Sequence, residues 1–137
     1  MKNKLNITLL CLSFLILIID VNSQNMVGFS KTDVQKQMTS NFPKFSPSSF
    51  GISTNMSTLK YIDSKTDRTL IFYFDKSEKC EYSKMIEDME SFDARIKEFN
   101  GKYKTNGNLK WIDVKNGKNY NVRIEKEEYI FNVITSN

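Results

Sequence analysis

The stretch NLKWIDVKNGKNYNVRIE, residues 108–125, predicts a β-hairpin and with it the core of the fold. Asn116 and Gly117 can take the positive φ angles of a type I′ turn, which is the strongest short-range hairpin signal. With this two-residue loop, one face of the hairpin is almost wholly apolar and the other is mixed, so the sequence specifies the register. The predicted pairs are Leu109 with Ile124, Trp111 with Val122, Asp113 with Tyr120, Lys110 with Arg123 and Ile112 with Asn121.

The letters LKWID at 109–113 recur as LKYID at 59–63, fifty positions earlier. TLIFYFD at 69–75 follows across the turn SKTD, and the apolar face pattern survives a shift of fifty residues. We interpret this as a duplicated helix–strand–strand unit, covering about 29–75 and 77–135. One extra strand, YIFNVIT at 129–135, would end the second copy after a turn at Lys126 and Glu127, with Ile124 opposite Tyr129.

Two helices of unequal length are expected. In GFSKTDVQKQM, residues 28–38, Ser30 can cap a short helix with apolar residues at Val34, Met38 and Phe42. The segment KSEKCEYSKMIEDMESFDARIKEFNG, residues 76–101, has apolar residues three or four apart and predicts one long helix from Ser77 to Gly101. The expected fold is α+β in two layers, with both helices on one face of a roughly five-stranded antiparallel sheet.

The N-terminal segment predicts export. Lys2 and Lys4 precede a mostly apolar run at 7–21, and residues 1–23 are typical of a signal peptide. A single α+β domain at 24–137 would remain, periplasmic or secreted, with no stable membrane span. Removing 1–23 lowers the formal charge from +4 to +3, and both signs are spread along the chain, which disfavours nucleic acid as a partner.

The residue types exclude several chemistries. The chain has no histidine, so histidine-containing triads, histidine-liganded zinc and histidine pH switches are excluded. Cys80 would be the lone cysteine after cleavage, and the neighbouring Glu78 and Glu81 should raise the pKa of its thiol. Glu87, Asp88 and Glu90 are expected on the solvent face of the long helix. We therefore expect a non-enzymatic protein without a metal or a cofactor.

The sheet face opposite the helices is the candidate partner-binding surface. It carries more apolar side chains than a solvated face needs, and such surfaces commonly mark interfaces. Alternatives are that residues 43–57 fold over this face with Phe45, Phe50 and Ile52 as plugs, that the chain self-associates as a homodimer of the cell envelope, or that it is a carboxylate- or thiol-dependent enzyme. The candidate partner-binding residues are Ile62, Tyr73, Lys110, Ile112, Arg123 and Ile130.

The segment VGFSKTDVQKQM, residues 27–38, is similar to a known helix-opening pattern. Glycine, a bulky residue, serine, an acidic residue and valine follow one another in this way in SmpA/OmlA and β-lactamase-inhibitor-protein-like modules. The resemblance implies a small exported domain whose helices pack on an antiparallel sheet that binds other envelope proteins. The chain departs from the pattern at SNFP, residues 40–43, where those modules often have Gly-Xaa-Pro, and it lacks paired cysteines. The C-terminal half resembles small exported bacterial proteins from which no activity can be transferred.

Overall fold

A computed structural model describes residues 25–49 and 57–137 of the chain. The described part contains two α-helices, α1 (Lys31–Asn41) and α2 (Phe92–Lys102), which are 11 residues long each. A 3₁₀ turn at Met89–Ser91 precedes α2. The strands are β1 (Ser46–Ser48), β2 (Thr58–Asp63), β3 (Arg68–Phe74), β4 (Cys80–Asp88), β5 (Lys104–Thr105), β6 (Lys110–Lys115), β7 (Lys118–Lys126) and β8 (Ile130–Ser136).

The strands form one antiparallel eight-stranded sheet with the order β1-β2-β3-β4-β8-β7-β6-β5. The prediction of an antiparallel sheet with helices is confirmed. The prediction of about five strands is wrong, and so is the duplicated helix–strand–strand unit. Each helix is followed by four strands, and the last strands of the two groups, β4 and β8, pair at the centre of the sheet. Strands β1 and β5 were not predicted from the sequence, because they are only three and two residues long.

The largest error concerns residues 77–91, which were expected to begin a long helix. Most of this segment is β4, in which Ser83, Met85 and Glu87 are buried in alternation. Tyr82, Met85, Ile86 and Met89 are also spaced as on a helix, so the pattern fits both structures. The strand is favoured here because β3 forms hydrogen bonds along one of its edges and β8 along the other. Both faces of β4 also carry apolar side chains, as is typical of a central strand.

The hairpin of residues 108–125 forms as expected. Trp111 lies opposite Val122 and Asp113 opposite Tyr120. Asn116 and Gly117 have φ angles of 52° and 73°, as a type I′ turn requires. The predicted register of the last strand is wrong, because Ile124 lies opposite Val133 and not Tyr129. The turn is longer than expected, and the backbone N–H of Glu127 donates to the carbonyl of Ile130. This shift keeps the same residues on each face.

The first helix also begins where the sequence places it. The Ser30 hydroxyl accepts the backbone N–H of Asp33 at 3.1 Å, which satisfies one of the free amide groups of the first turn. Val34 and Met38 are buried, and the helix stops before Pro43. The cap and the two apolar residues together fix which side of α1 faces the sheet.

The core lies between the sheet and the two helices, in one cluster of buried side chains. Phe72 and Trp111 are 0% and 3% exposed, so the apolar faces of both hairpins are covered. From α2, Phe92 packs edge-on against Phe131 and Phe99 against Trp111. The Trp111 indole also donates to the Asn100 side chain at 2.9 Å. The cover for the sheet is therefore two short helices and not one long helix.

Candidate functional site

The sheet has a face that is turned away from α1 and α2, here called the outer face. Because side chains alternate along a strand, the residues between the core positions lie on this face. The six candidate partner-binding residues lie on it, spread over five strands. All are half-buried except Lys110, which is exposed: Ile62 on β2, Tyr73 on β3, Lys110 and Ile112 on β6, Arg123 on β7, and Ile130 on β8.

Strand β4 contributes residues to this face that were predicted from the sequence to lie on a helix. The rings of Tyr82 and Tyr73 stack with centroids 4.3 Å apart and an interplanar angle of 12°. Burial raises the pKa of both phenols, and the negative charges of the ionised Tyr73 and of Glu81 raise the pKa of Tyr82 further. Lys84 and Ile86 lie farther along the same strand. Tyr82, Lys84 and Ile86 alternate with the core residues of β4, and this spacing of two is a sequence signal that could have indicated a strand.

A row of cations and isoleucines crosses the middle of the outer face, and we call it the cationic row. Each member lies directly opposite the next on the adjacent strand. Arg123 also pairs with Glu125 at 3.0 Å, through side chains that are 42% and 52% exposed. In spatial order the row is Lys60, Ile71, Lys84, Ile134, Arg123 and Lys110.

The two edges of the sheet are short. At one edge β1 has three residues and contains Pro47, which has no N–H to offer to another strand. At the other edge β5 has two residues. Short edge strands and proline are common ways of preventing association between sheet edges.

A cleft of about 290 Å³ opens on the helix side, between α2, the N-terminal described residues and the sheet. Arg95 of α2 lines this cleft and pairs with Glu87 of β4, which is 3% exposed. Arg95 donates to both Glu87 carboxylate oxygens, at 2.9 and 2.8 Å, and also pairs with Glu98. Burial alone would lower the pKa of Arg95, but the hydrogen bonds and charges of Glu87 and, to a smaller extent, Glu98 together outweigh it and the pKa is raised. The expectation that Glu87 faces solvent is therefore wrong.

Other polar groups around the cleft are also bonded to one another. The Asp113 carboxylate accepts the side-chain N–H of Asn25 at 3.0 Å. Arg68 donates to the buried carboxylate of Asp63 at 3.2 Å. Asp63 also accepts the Thr66 hydroxyl at 2.8 Å and the backbone N–H of Lys65 at 3.1 Å. The Thr66 hydrogen bond is the main cause of the lowered pKa of Asp63, with contributions from Lys65 and Arg68, despite the opposing effect of burial.

Cys80 lies on the core side of β4 and is 1% exposed. Burial raises the pKa of its thiol to about 12, and its Sγ donates to the carbonyl of Tyr82 at 3.6 Å. The thiol is therefore protonated at neutral pH and shielded from solvent. Within residues 25–49 and 57–137, no three Cys, Asp or Glu side chains converge as metal ligands would.

Comparison of the chain with protein-family models, curated proteins and solved structures found no match. Neither helix of the described residues is long and apolar enough to cross a membrane. The expected signal peptide at 1–23 lies outside the described residues, as do Phe50 and Ile52 of the expected outer-face cover. Phe45 is described, and it packs in the core cluster under the helices.

Proposed function

We propose that the chain is an exported, non-enzymatic module that binds another protein through the outer face of its sheet. The observation that carries the proposal is the composition of this face. A sheet face in contact with solvent usually has polar side chains at its alternate positions. Here these positions include two stacked tyrosines and several isoleucines. The half-buried apolar and aromatic members are Ile62, Ile71, Tyr73, Tyr82, Ile86, Ile112 and Ile130, whereas Ile134 is buried.

The packing on the other side of the sheet supports the same proposal. Both helices and Phe45 contribute to the core cluster on the opposite face, so these elements do not cover the outer face. Contiguous apolar surface bordered by charged residues is typical of protein interfaces, in which tyrosine is also enriched. The outer face therefore has the composition of an interface.

The cleft on the helix side supports an enzymatic function less well than the outer face supports protein binding. Arg95 bonds Glu87 and Glu98, Arg68 bonds Asp63, and Asp113 bonds Asn25. A catalytic acid or base must be within hydrogen-bond reach of the group on which it acts. The charged groups named above are already hydrogen-bonded to other side chains. The bonds of Arg95 connect α2 to the sheet, and the bond between Asn25 and Asp113 connects the N-terminal segment to it. Their arrangement serves stability.

Site-specific photo-cross-linking tests the proposal. A photoreactive amino acid is placed at Tyr73 or Ile112 on the outer face, with controls at Gln35 and Ala94, which are exposed on the helices. In cells that produce the protein, the outer-face positions should give a discrete cross-linked protein that the helix positions do not give. Cross-linking to the same protein from the helix positions with equal yield would contradict the proposal.

A further inference from the structure

The charge in the central rows of the outer face is far from balanced, although the whole chain has 20 basic and 16 acidic residues. The cationic row holds four basic side chains and no acidic one. The rows on either side add Lys104, opposite Ile112, and one carboxylate, Glu125, opposite Asn132. Five basic residues and one acidic residue thus share the three central rows of this face.

The spacing of these charges distinguishes between anionic partners. Neighbouring strands are about 4.8 Å apart, so Lys60, Lys84 and Arg123, each two strands from the next, lie about 10 Å apart. The half-buried Ile71 lies between Lys60 and Lys84, and Ile134, between Lys84 and Arg123, is 5% exposed. Duplex DNA carries a charge for about every 1.7 Å of its axis, so such a row would neutralise few phosphates and press the apolar side chain of Ile71 against the sugar–phosphate backbone. A protein surface on which carboxylates alternate with apolar side chains matches the row better.

The same charges disfavour a second copy of the chain on this face. In a symmetric dimer the same patch meets itself, so the cationic row would lie against another cationic row. Like charges brought together across an interface cost several kcal/mol. The two short edge strands likewise offer little backbone for pairing between sheets.

We propose that the partner bound by the outer face presents an acidic, partly apolar protein surface, in which carboxylates about 10 Å apart meet Lys60, Lys84 and Arg123 and apolar side chains meet the half-buried Ile71. This inference rests on the proposed function. Complementary charge at an interface accelerates association and excludes partners of the wrong sign. The outer face would therefore select its partner by charge and hold it by apolar contact.

Synthetic helical peptides test this inference without knowledge of the natural partner. On a helix, residues seven positions apart are separated by about 10.5 Å along one side. The first peptide has Glu at every seventh position and Leu three and four positions later. A second peptide has Lys in place of Glu, and a third has Ser in place of Leu. Inorganic polyphosphate represents nucleic acid, and titration calorimetry measures each dissociation constant.

The Glu–Leu peptide should bind more tightly than the other three probes, and its affinity should fall as the salt concentration rises. The double variant Lys84→Glu with Arg123→Glu should weaken this binding at least tenfold. The matched control, Lys36→Glu with Lys97→Glu, reverses two exposed cations on the helices and should change it less than twofold. Circular dichroism and urea unfolding establish that each variant is folded. Absence of binding by the Glu–Leu peptide, or equal binding of polyphosphate, would overturn the inference.

A further variant separates this inference from the proposed function. If the Lys–Leu peptide binds best and Ile112→Asp with Ile130→Asp abolishes that binding, the outer face binds proteins but the acidic partner is wrong. If the Glu–Leu peptide binds and neither outer-face variant weakens its binding, both proposals fail.

Discussion

Glu87 and Arg95 show how single residues connect the second helix to the sheet. Glu87 is nearly inaccessible to solvent on β4, and Arg95 reaches it from α2 with two hydrogen bonds. A buried carboxylate without a partner is strongly destabilising, because the charge has lost its water and gained nothing in return. The pair therefore specifies where α2 rests on the sheet, whatever its net contribution to stability.

Arg95→Ala should lower the free energy of unfolding by about 3–5 kcal/mol, because it leaves the buried Glu87 without a countercharge, with only the 3.4 Å hydrogen bond from the Ser91 hydroxyl. The double variant Glu87→Leu with Arg95→Leu should lose much less. Arg123→Ala removes the exposed pair with Glu125 and should cost about 1 kcal/mol or less. Urea unfolding followed by circular dichroism measures all three variants. A single variant Arg95→Ala that is no less stable than the double variant would contradict this assignment.

Asp63 predicts a pH dependence of stability. Its folded-state pKa is lowered, so its ionised form stabilises the fold. This contribution is fully present above the unfolded pKa of about 3.9 and is lost as the pH falls through the folded pKa. The stability advantage of the wild type over Asp63→Asn should therefore shrink as the pH falls from about 5 to about 2.

The control for Asp63 is Asp67→Asn, which replaces an exposed carboxylate in the same turn. Its stability difference from the wild type should vary less over this pH range. Urea unfolding at a series of pH values gives both differences. An advantage over Asp63→Asn that is constant down to pH 2 would show that the Thr66 and Arg68 contacts do not favour the ionised form.

At the scale of elements, the sequence predicted those whose local signals agree with their packing. Ser30 caps α1 and the Asn116–Gly117 turn sets the register of β6 and β7. The prediction failed at β4, where the spacing of Tyr82, Met85 and Ile86 fits a helix as well as a strand. Pairing with the neighbouring strands β3 and β8 favours the strand over the helix, and the local spacing of apolar residues carries no information about those distant strands.

Gly117 and Gly101 should respond to alanine with opposite signs. Gly117 has a φ of 73° in the hairpin turn, where a Cβ costs about 1–2 kcal/mol. Gly101 lies in α2 with open space around the position of an added Cβ, so Gly101→Ala should stabilise by about 0.5–1 kcal/mol. Thermal unfolding measures both. Stabilisation by Gly117→Ala would show that the turn is not of type I′.

At the scale of the whole molecule, the sequence identified the two faces of the sheet but not its extent. The apolar alternation of Trp111 and Phe72 correctly indicated the covered face, since both are buried beneath the helices. The outer-face candidates also fell on one surface. The cationic row was missed because Lys84 lies on β4 and because β4 and β8 bring the two halves of the chain together. That pairing joins residues 42 to 54 positions apart.

The central claim is that the outer face binds the partner. Once photo-cross-linking has identified that protein, its dissociation constant is measured with the wild type, with Ile112→Asp plus Ile130→Asp, and with Gln35→Asp plus Ala94→Asp on the helices. We predict at least a tenfold loss of affinity for the isoleucine variant, because two charges would be buried in the interface, and less than a twofold change for the helix variant. Full affinity of a folded isoleucine variant would contradict the account.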